Sequence, residues 1–290
     1  MFLLSENTHL LVQGITGTQG QFHTQAMQDY GTKIVAGVTP RKGGTQLLNI
    51  PIYNTAQEAV KAQPEINATI LFVPARSCKD AVLEAVEMQI PLITIITEGL
   101  PILDSMEILN RAKQRDIYVI GPNSPGIISP KYKCKVGIMP SSFFPRGNVG
   151  ICSRSGTLSY EIALHIKNSK RGISKAIGIG GVPLIGPTIV DVLHKFEEDK
   201  DTKLIVLIGE IGGNLEESSA KYIKEEISKP VIGYIAGRTI NLKEKRFGHA
   251  GALITSSGVG TAKHKIEVLE SVGVDIARYP AEIETLIKKY

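Results

Sequence analysis

Tryptophan is absent from this chain of 290 residues, and aromatic residues together make up only 6% of it. Its core must therefore be aliphatic, and interiors rich in Val, Ile and Leu favour buried parallel sheets. Cysteine is scarce too: Cys78, Cys134 and Cys152 stand far apart, and Cys152 lies in a strand-like run. Three widely spaced cysteines argue against a disulfide frame or a metal site and for a reducing compartment. No apolar run approaches the ~18 residues that a membrane span needs, so no membrane partner is expected. The first residues, Met1-Phe2-Leu3-Leu4-Ser5-Glu6, show neither the basic start nor the cleavage pattern of a signal peptide, and no Arg- and Ser-rich leader opens the chain. A cytoplasmic protein is the expectation, with a processed mitochondrial form as the alternative.

A basic stripe is also missing. The net charge is +5, and the lysines are scattered on helix faces among acids, as in Lys195-Phe196-Glu197-Glu198-Asp199-Lys200. Such runs read as solvated faces. Nucleic-acid binding would want clustered cations interleaved with stacking aromatics, so no nucleic-acid partner is expected. The mild positive charge suits small anionic ligands. No Walker A pattern occurs, and no histidine has metal-ligand spacing. The length suits one large or two medium domains, since single cores rarely grow beyond about 250 to 300 residues.

What is present is a repeated strand–helix alternation, predicting an α/β protein with two doubly wound units. In the first, strand His9–Gln13 runs into Gly14-Ile15-Thr16-Gly17-Thr18-Gln19-Gly20, then a helix from Phe22 to Tyr30 and a strand from Lys33 to Val38. Strand, glycine turn, helix and strand form a Rossmann-like unit, here spaced G-x-x-G-x-x-G. The glycines let a phosphate approach backbone N–H groups at a helix N-terminus. NAD-binding folds usually end the second strand with an acid that holds the ribose hydroxyls. This chain has Thr39-Pro40-Arg41-Lys42 instead, which suits a ribose phosphate, as in NADP or coenzyme A, or reads as a charged turn. Further strands at 69–73, 92–96 and 117–120 alternate with helices at 79–88 and 105–114. Ligands of open parallel sheets bind outside the carboxyl ends of the strands, so Thr97 and Glu98 are ligand candidates or helix caps. Residues 1–125 read as one domain. Residues 126–147, with Pro130, Pro140 and Pro145, read as a connector, and 148–290 as the second domain.

In the second domain a strand at 148–152 feeds Ser153-Arg154-Ser155-Gly156-Thr157-Leu158 and a helix to Lys167. Hydroxyls and a glycine at a strand-to-helix turn suit an anion site, or an N-cap cluster without a ligand. Ser155 lacks the G-x-S-x-G spacing and a paired base, which argues against a hydrolase nucleophile. Strand 204–208 ends in Gly209-Glu210-Ile211-Gly212-Gly213. A carboxylate at the tip of a buried strand is costly unless paired, and an imidazole would suit it; otherwise Glu210 reads as a solvated carboxylate at a strand end. Beyond strand 231–235 comes Arg246-Phe247-Gly248-His249-Ala250-Gly251-Ala252, inside a long run of small residues without helical or strand period. Loops of that length are usually functional or disordered. His249 is either a reactive histidine with little bulk around it or an incidental one.

Taken together and in order, the runs at 14–20, 121–123, 153–158, 209–213 and 248–252 resemble the α subunit of succinyl-CoA synthetase (succinate–CoA ligase) over essentially the whole chain. That resemblance implies a Rossmann-like CoA-binding domain followed by a flavodoxin-like ligase domain. It also implies the reaction succinate + CoA + NTP ⇌ succinyl-CoA + NDP + phosphate. His249 would be the phosphorylated histidine and Glu210 the acid that orients its ring. Ser153, Ser155, Gly156 and Thr157 would receive the phosphoryl group, and Tyr160 would stand beside the organic acid. Thr16, Gly17, Thr18, Gln19, Lys42, Ile96, Thr97 and Glu98 would contact CoA. The nucleotide and Mg2+ would belong to an ATP-grasp β subunit, in an αβ or α2β2 assembly. Three departures bear on the acid: Ser124 where many members have Cys, Val182 where Asp is usual, and Leu242 where Pro is common. A relative acting on malate, citrate or another acid is therefore an alternative, as is a non-catalytic CoA-binding regulator.

Overall fold

The computed structural model describes residues 4–239 and 259–290. The chain divides into two compact units, the first holding residues 1–141 and 184–186, the second holding 142–183 and 187–290.

The first unit is built from β1 (His9–Gln13), α1 (Thr18–Tyr30), β2 (Lys33–Val38), β3 (Gln46–Leu47), β4 (Ile50–Tyr53), α2 (Ala56–Ala62), β5 (Ala68–Leu71), α3 (Ala75–Glu87), β6 (Leu92–Ile95), α4 (Ile102–Lys113), β7 (Tyr118–Ile120), β8 (Gly126–Ser129) and β9 (Cys134–Gly137). Its main sheet runs β3-β4-β2-β1-β5-β6-β7, parallel except for the β3–β4 pair. β1 lies between β2 and β5, so the strand order reverses there and opens a crevice at the carboxyl edge. Helices cover the sheet, which is why β5 and β6 are buried at every position and read as apolar runs without alternation. Leu11, Val82, Val86, Ile93 and Ile108 centre this core.

Two segments differ from expectation. Residues 46–62 hold β3, β4 and α2, which short runs and a left-handed pair at Leu48 and Asn49 hid from periodicity. The predicted connector carries an antiparallel hairpin, with Gly126 opposite Gly137 and Ser129 opposite Cys134. Pro125 precedes β8 and Pro130 follows it, so these prolines bracket strands, where no ladder N–H is needed.

The second unit comprises β10 (Arg146–Ser153), α5 (Gly156–Asn168), β11 (Ile173–Gly178), α6 (Ile189–Glu198), β12 (Leu204–Glu210), α7 (Leu215–Glu226), β13 (Val231–Ala236), α8 (Ala262–Glu270), β14 (Asp275–Ala277) and α9 (Ile283–Leu286). Its strands lie in the order β14-β13-β12-β10-β11 and run parallel. β12 is buried along its whole length, its terminal Glu210 included. The order reverses between β10 and β12, placing the second crevice at their carboxyl ends. α6 starts at a reciprocal capping box: Asp191 N–H donates to Thr188 Oγ1 at 3.2 Å, and Thr188 N–H donates to Asp191 Oδ2 at 2.7 Å. Such a box satisfies two otherwise orphaned donors at a helix start.

Candidate active site

In the first unit the glycine turn is shaped by close approach. Gly14 has φ +78°, and a Cβ there would meet Phe72 O at 2.5 Å; one on Gly20 would meet Gly14 O at 2.2 Å. Only glycine folds this turn so tightly that α1 starts directly beneath it, with Gly17 as N-cap. Beside it lies a cavity of about 730 Å³, lined by Gln13, Gly14, Thr16, Gly17, Val38, Thr39, Pro40, Asn54, Thr55, Phe72, Val73, Pro74, Ser77, Asp80, Ala81 and Glu84. That volume falls in the range of small-molecule sites. Thr16 Oγ1 lies 3.2 Å from Thr39 Oγ1, tying the glycine turn to the end of β2.

Of the predicted ligand contacts, Thr16 and Gly17 line this cavity. Thr18, Gln19, Lys42, Ile96, Thr97 and Glu98 are not among its lining residues. Thr18 and Gln19 are exposed in the first turn of α1, and Lys42 and Glu98 are exposed after β2 and β6. Thr97 Oγ1 donates to Val73 O at 2.8 Å, so it braces a strand-end residue that does line the cavity. Sequence reasoning missed Asn54, Asp80 and Glu84. Asp80 and Glu84 sit four apart on α3, a helical spacing that would have set them on one face. His23 stacks on Phe72, with ring centroids 5.4 Å apart. Burial, aided by the charge of Lys135, holds its imidazole below the usual histidine range.

In the second unit β10 and β12 bring their tips together, Ser153 opposite Ile208. Ser155 caps α5, its Oγ accepting from Leu158 N–H at 3.4 Å. Ser153 Oγ donates to Ser155 O at 2.6 Å and accepts from Ser155 N–H at 3.1 Å. The two serines thus shape the turn, with Gly156 and exposed Thr157 opening the helix. A helix start of this kind presents N–H groups and a positive dipole end to an anion. Tyr160 lies one turn on, its ring edge-on to Phe144 at 6.4 Å. Burial pushes its phenol up to about 12, so it keeps its proton and can donate to a carboxylate at neutral pH.

Glu210, at the tip of β12, is 7% exposed, and Arg154 Nη2 lies 3.6 Å from its Oε1. The same arginine reaches Glu216 Oε1 at 3.0 Å, and Lys265 forms a short buried ion pair with Glu216 Oε2. Arg154, Glu216 and Lys265 were not singled out from the sequence. His249 lies outside the described residues. Just after that stretch, Gly260 N–H donates to Glu217 Oε1 at 3.0 Å, and Gly212 N–H donates to Gly260 O at 2.7 Å.

Burial alone would raise the carboxyl of Glu217. The charge of Lys265, with the N–H groups of Glu217 and Gly260 and the ring of His264, brings it below the ordinary value of 4.5. A depressed carboxylate stabilises the folded state above its unfolded value and loses that contribution as pH falls through the folded value. Melting temperature is therefore expected to drop below pH 4.5, and less steeply in Glu217→Gln. Equal slopes in the two proteins would show that Glu217 does not contribute.

Among the described residues no three His, Cys, Asp or Glu side chains are grouped to hold a metal, and no helix is long and apolar enough to cross a membrane.

The family profile described as "CoA binding domain" matches residues 5–99, and the one described as "CoA-ligase" matches residues 152–274. The "Succinate--CoA ligase [ADP-forming] subunit alpha 2" of Archaeoglobus fulgidus is 51% identical over 98% of this chain and 98% of its own length. The chain belongs to the succinate–CoA ligase α-subunit family. A second member, from Methanothermobacter thermautotrophicus, is 50% identical over 98% of this chain and 94% of its own length. Among solved structures, ATP citrate lyase from Methanothrix soehngenii, in complex with citrate and coenzyme A, matches with a TM-score of 0.88 at 26% identity. It covers 99% of this chain, which spans 50% of that one. The first family profile falls on the unit with the glycine turn and its cavity, and the second spans both the Ser153–Thr157 turn and Glu210.

Proposed function

We propose that this chain is the α subunit of an ADP-forming succinate–CoA ligase that works through a phosphohistidine at His249. The observation carrying this reading is the pairing of strand tips in the second unit. A capped helix start at Ser155 and a buried carboxylate at Glu210 border one crevice, on adjacent strands. The helix start would receive a phosphoryl group. Glu210 would hold the proton on one ring nitrogen of His249, leaving the other to attack phosphorus. A covalent carrier splits one difficult transfer into two easier ones. In balance, the ring nitrogen takes the terminal phosphoryl of the nucleotide and NDP leaves; the carboxylate of succinate then takes the phosphoryl from nitrogen, forming succinyl phosphate. Attack by the CoA thiol on that carbonyl, with loss of the thiol proton, releases phosphate and yields the thioester.

Tyr160 and the helix start at Ser153, Ser155, Gly156 and Thr157 would face the organic acid and the phosphate. Thr16, Gly17, Thr18, Gln19, Lys42, Ile96, Thr97 and Glu98 would bind CoA around the first crevice. The nucleotide and Mg2+ would come with an ATP-grasp β subunit, in an αβ or α2β2 assembly. The archaeal relatives support a cytoplasmic setting.

Calorimetric titration tests the CoA site. Gly20→Ala places a methyl 2.2 Å from Gly14 O, and the displaced turn is expected to weaken CoA at least about tenfold, roughly 1.4 kcal/mol. CoA bound equally well by this variant, or wild type preferring NADP to CoA, would overturn that assignment. A substrate panel on the chain reconstituted with its β subunit tests the acid: preference for malate or citrate over succinate would sink the succinate reading.

A further inference from the structure

The second crevice holds an ion network to which neither the family match nor the proposed mechanism assigns a task. Arg154 leaves the tip of β10, its own N–H donating to Ile208 O at 3.0 Å. Its side chain crosses to the turn after β12. There Nη1 lies within hydrogen-bonding distance of Glu210 O at 3.2 Å, Gly212 O at 2.9 Å and both carboxylate oxygens of Glu216 at 3.0 and 3.3 Å. Glu216 is fixed from below: Lys265 forms a short ion pair with its Oε2 and donates to Gly212 O at 3.1 Å. Glu216 Oε1 also accepts the backbone N–H of Glu210 at 3.0 Å. Arg154, Glu216 and Lys265 are 4%, 0% and 0% exposed.

Two features set this network apart from ordinary ion pairing. Its contacts converge on one residue, since the backbone N–H, the carbonyl and the carboxylate of Glu210 each face a member of it. It is also graded. Arg154 Nη1 lies 3.0 Å from Glu216 Oε1, and its Nη2 lies 3.6 Å from the Glu210 carboxylate. Buried ion clusters are weak evidence for stability, and fixing one arrangement is the alternative use of such a cluster. Arg154 Nε is buried without a hydrogen-bond partner among the described residues, as expected of a side chain held for its placement more than for its bond count.

We propose that Arg154, locked by Glu216 and Lys265, is a positioning residue for Glu210, fixing the turn and the carboxylate that orient the phosphorylated histidine. The assignment rests on the role given to Glu210 above. A misplacement of about 1 Å can cost roughly 100-fold in rate.

The test is a double-mutant cycle on the chain reconstituted with its β subunit, reading single-turnover transfer of labelled phosphate from ATP into acid-labile linkage. Arg154→Met and Glu210→Gln are each expected to slow transfer about 100-fold. Arg154→Met added to Glu210→Gln should cost no more than about twofold further, because both changes remove the same contribution. Arg154→Lys, which keeps the charge without the fork, should recover part of the rate. Additive losses in the double variant, or wild-type transfer in Arg154→Met, overturn the assignment. Wild-type transfer in Glu210→Gln instead overturns the role of Glu210, and the assignment with it. If thermal melting shows that Arg154→Met does not fold, isosteric Glu216→Gln replaces it in the cycle with the same expected pattern.

Discussion

Asparagine in place of His249 is expected to abolish acid-labile phosphate on this chain and to lower ligase turnover by at least about 10⁴-fold, on the scale of removing a covalent nucleophile. A neutral imidazole keeps one nitrogen lone pair free to attack phosphorus. The asparagine amide matches the ring roughly in size, yet its nitrogen lone pair is delocalised into the carbonyl. The experiment incubates wild type and variant with the β subunit and labelled ATP. It then compares counts retained after alkaline and acidic washes, since phosphohistidine survives base and is lost in acid. CoA titration runs alongside, and its affinity should not change, because the proposed CoA contacts all lie in the first unit. Label retained at wild-type level in the variant would place the carrier elsewhere, and the phosphohistidine reading would fall with it.

The second large effect is on stability. Lys265→Met removes one of the two cations paired with Glu216, Arg154 being the other, and also the cation 3.2 Å from Glu217; Lys265 and Glu216 are fully buried. Taking one partner from a buried pair costs about 3–5 kcal/mol, because the remaining charge cannot recover its hydration. For a unit of this size each kcal/mol moves the melting temperature by about 2–4 °C, so a fall of roughly 6–20 °C is expected. Adding Glu216→Gln should restore part of it, as the surviving carboxylate is then gone. A melting temperature unchanged in Lys265→Met would mean that Glu216 is compensated without Lys265.

The tips of the strands were legible because glycine and proline punctuate them. Gly14, Gly17 and Gly20 marked the first turn, and the fold needs them there for close approach. The Ser153–Thr157 turn stood out as hydroxyls between an apolar run and a helical one. Glu210 stood out as a charge at the tip of one. What stayed hidden was the network beneath. Lys265 shares the inward stripe of α8 with Ala262 and Leu269, and Glu216 shares that of α7 with Ser219, Ala220 and Ile223. A charge in a stripe otherwise small or apolar was the available signal. It was masked because acids at a helix start and lysines along a helix are ordinary on solvated faces. Arg154 reads as one member of a serine-rich turn, since nothing local shows that its partners lie 56 to 62 residues further along the chain.

The three cysteines lead somewhere else. All are buried. Burial pushes the thiols of Cys78 and Cys134 up to about 11, and that of Cys152 higher still. Thiolate is the reactive form, so near pH 7 only about one in ten thousand of the Cys78 and Cys134 thiols is reactive at any moment. A protein of the CoA-ligase family thus offers the free sulfhydryl of coenzyme A no rival to exchange with. Oxidants and alkylating agents should reach the coenzyme first, and the reactive sulfur at the site is the one that arrives with the substrate.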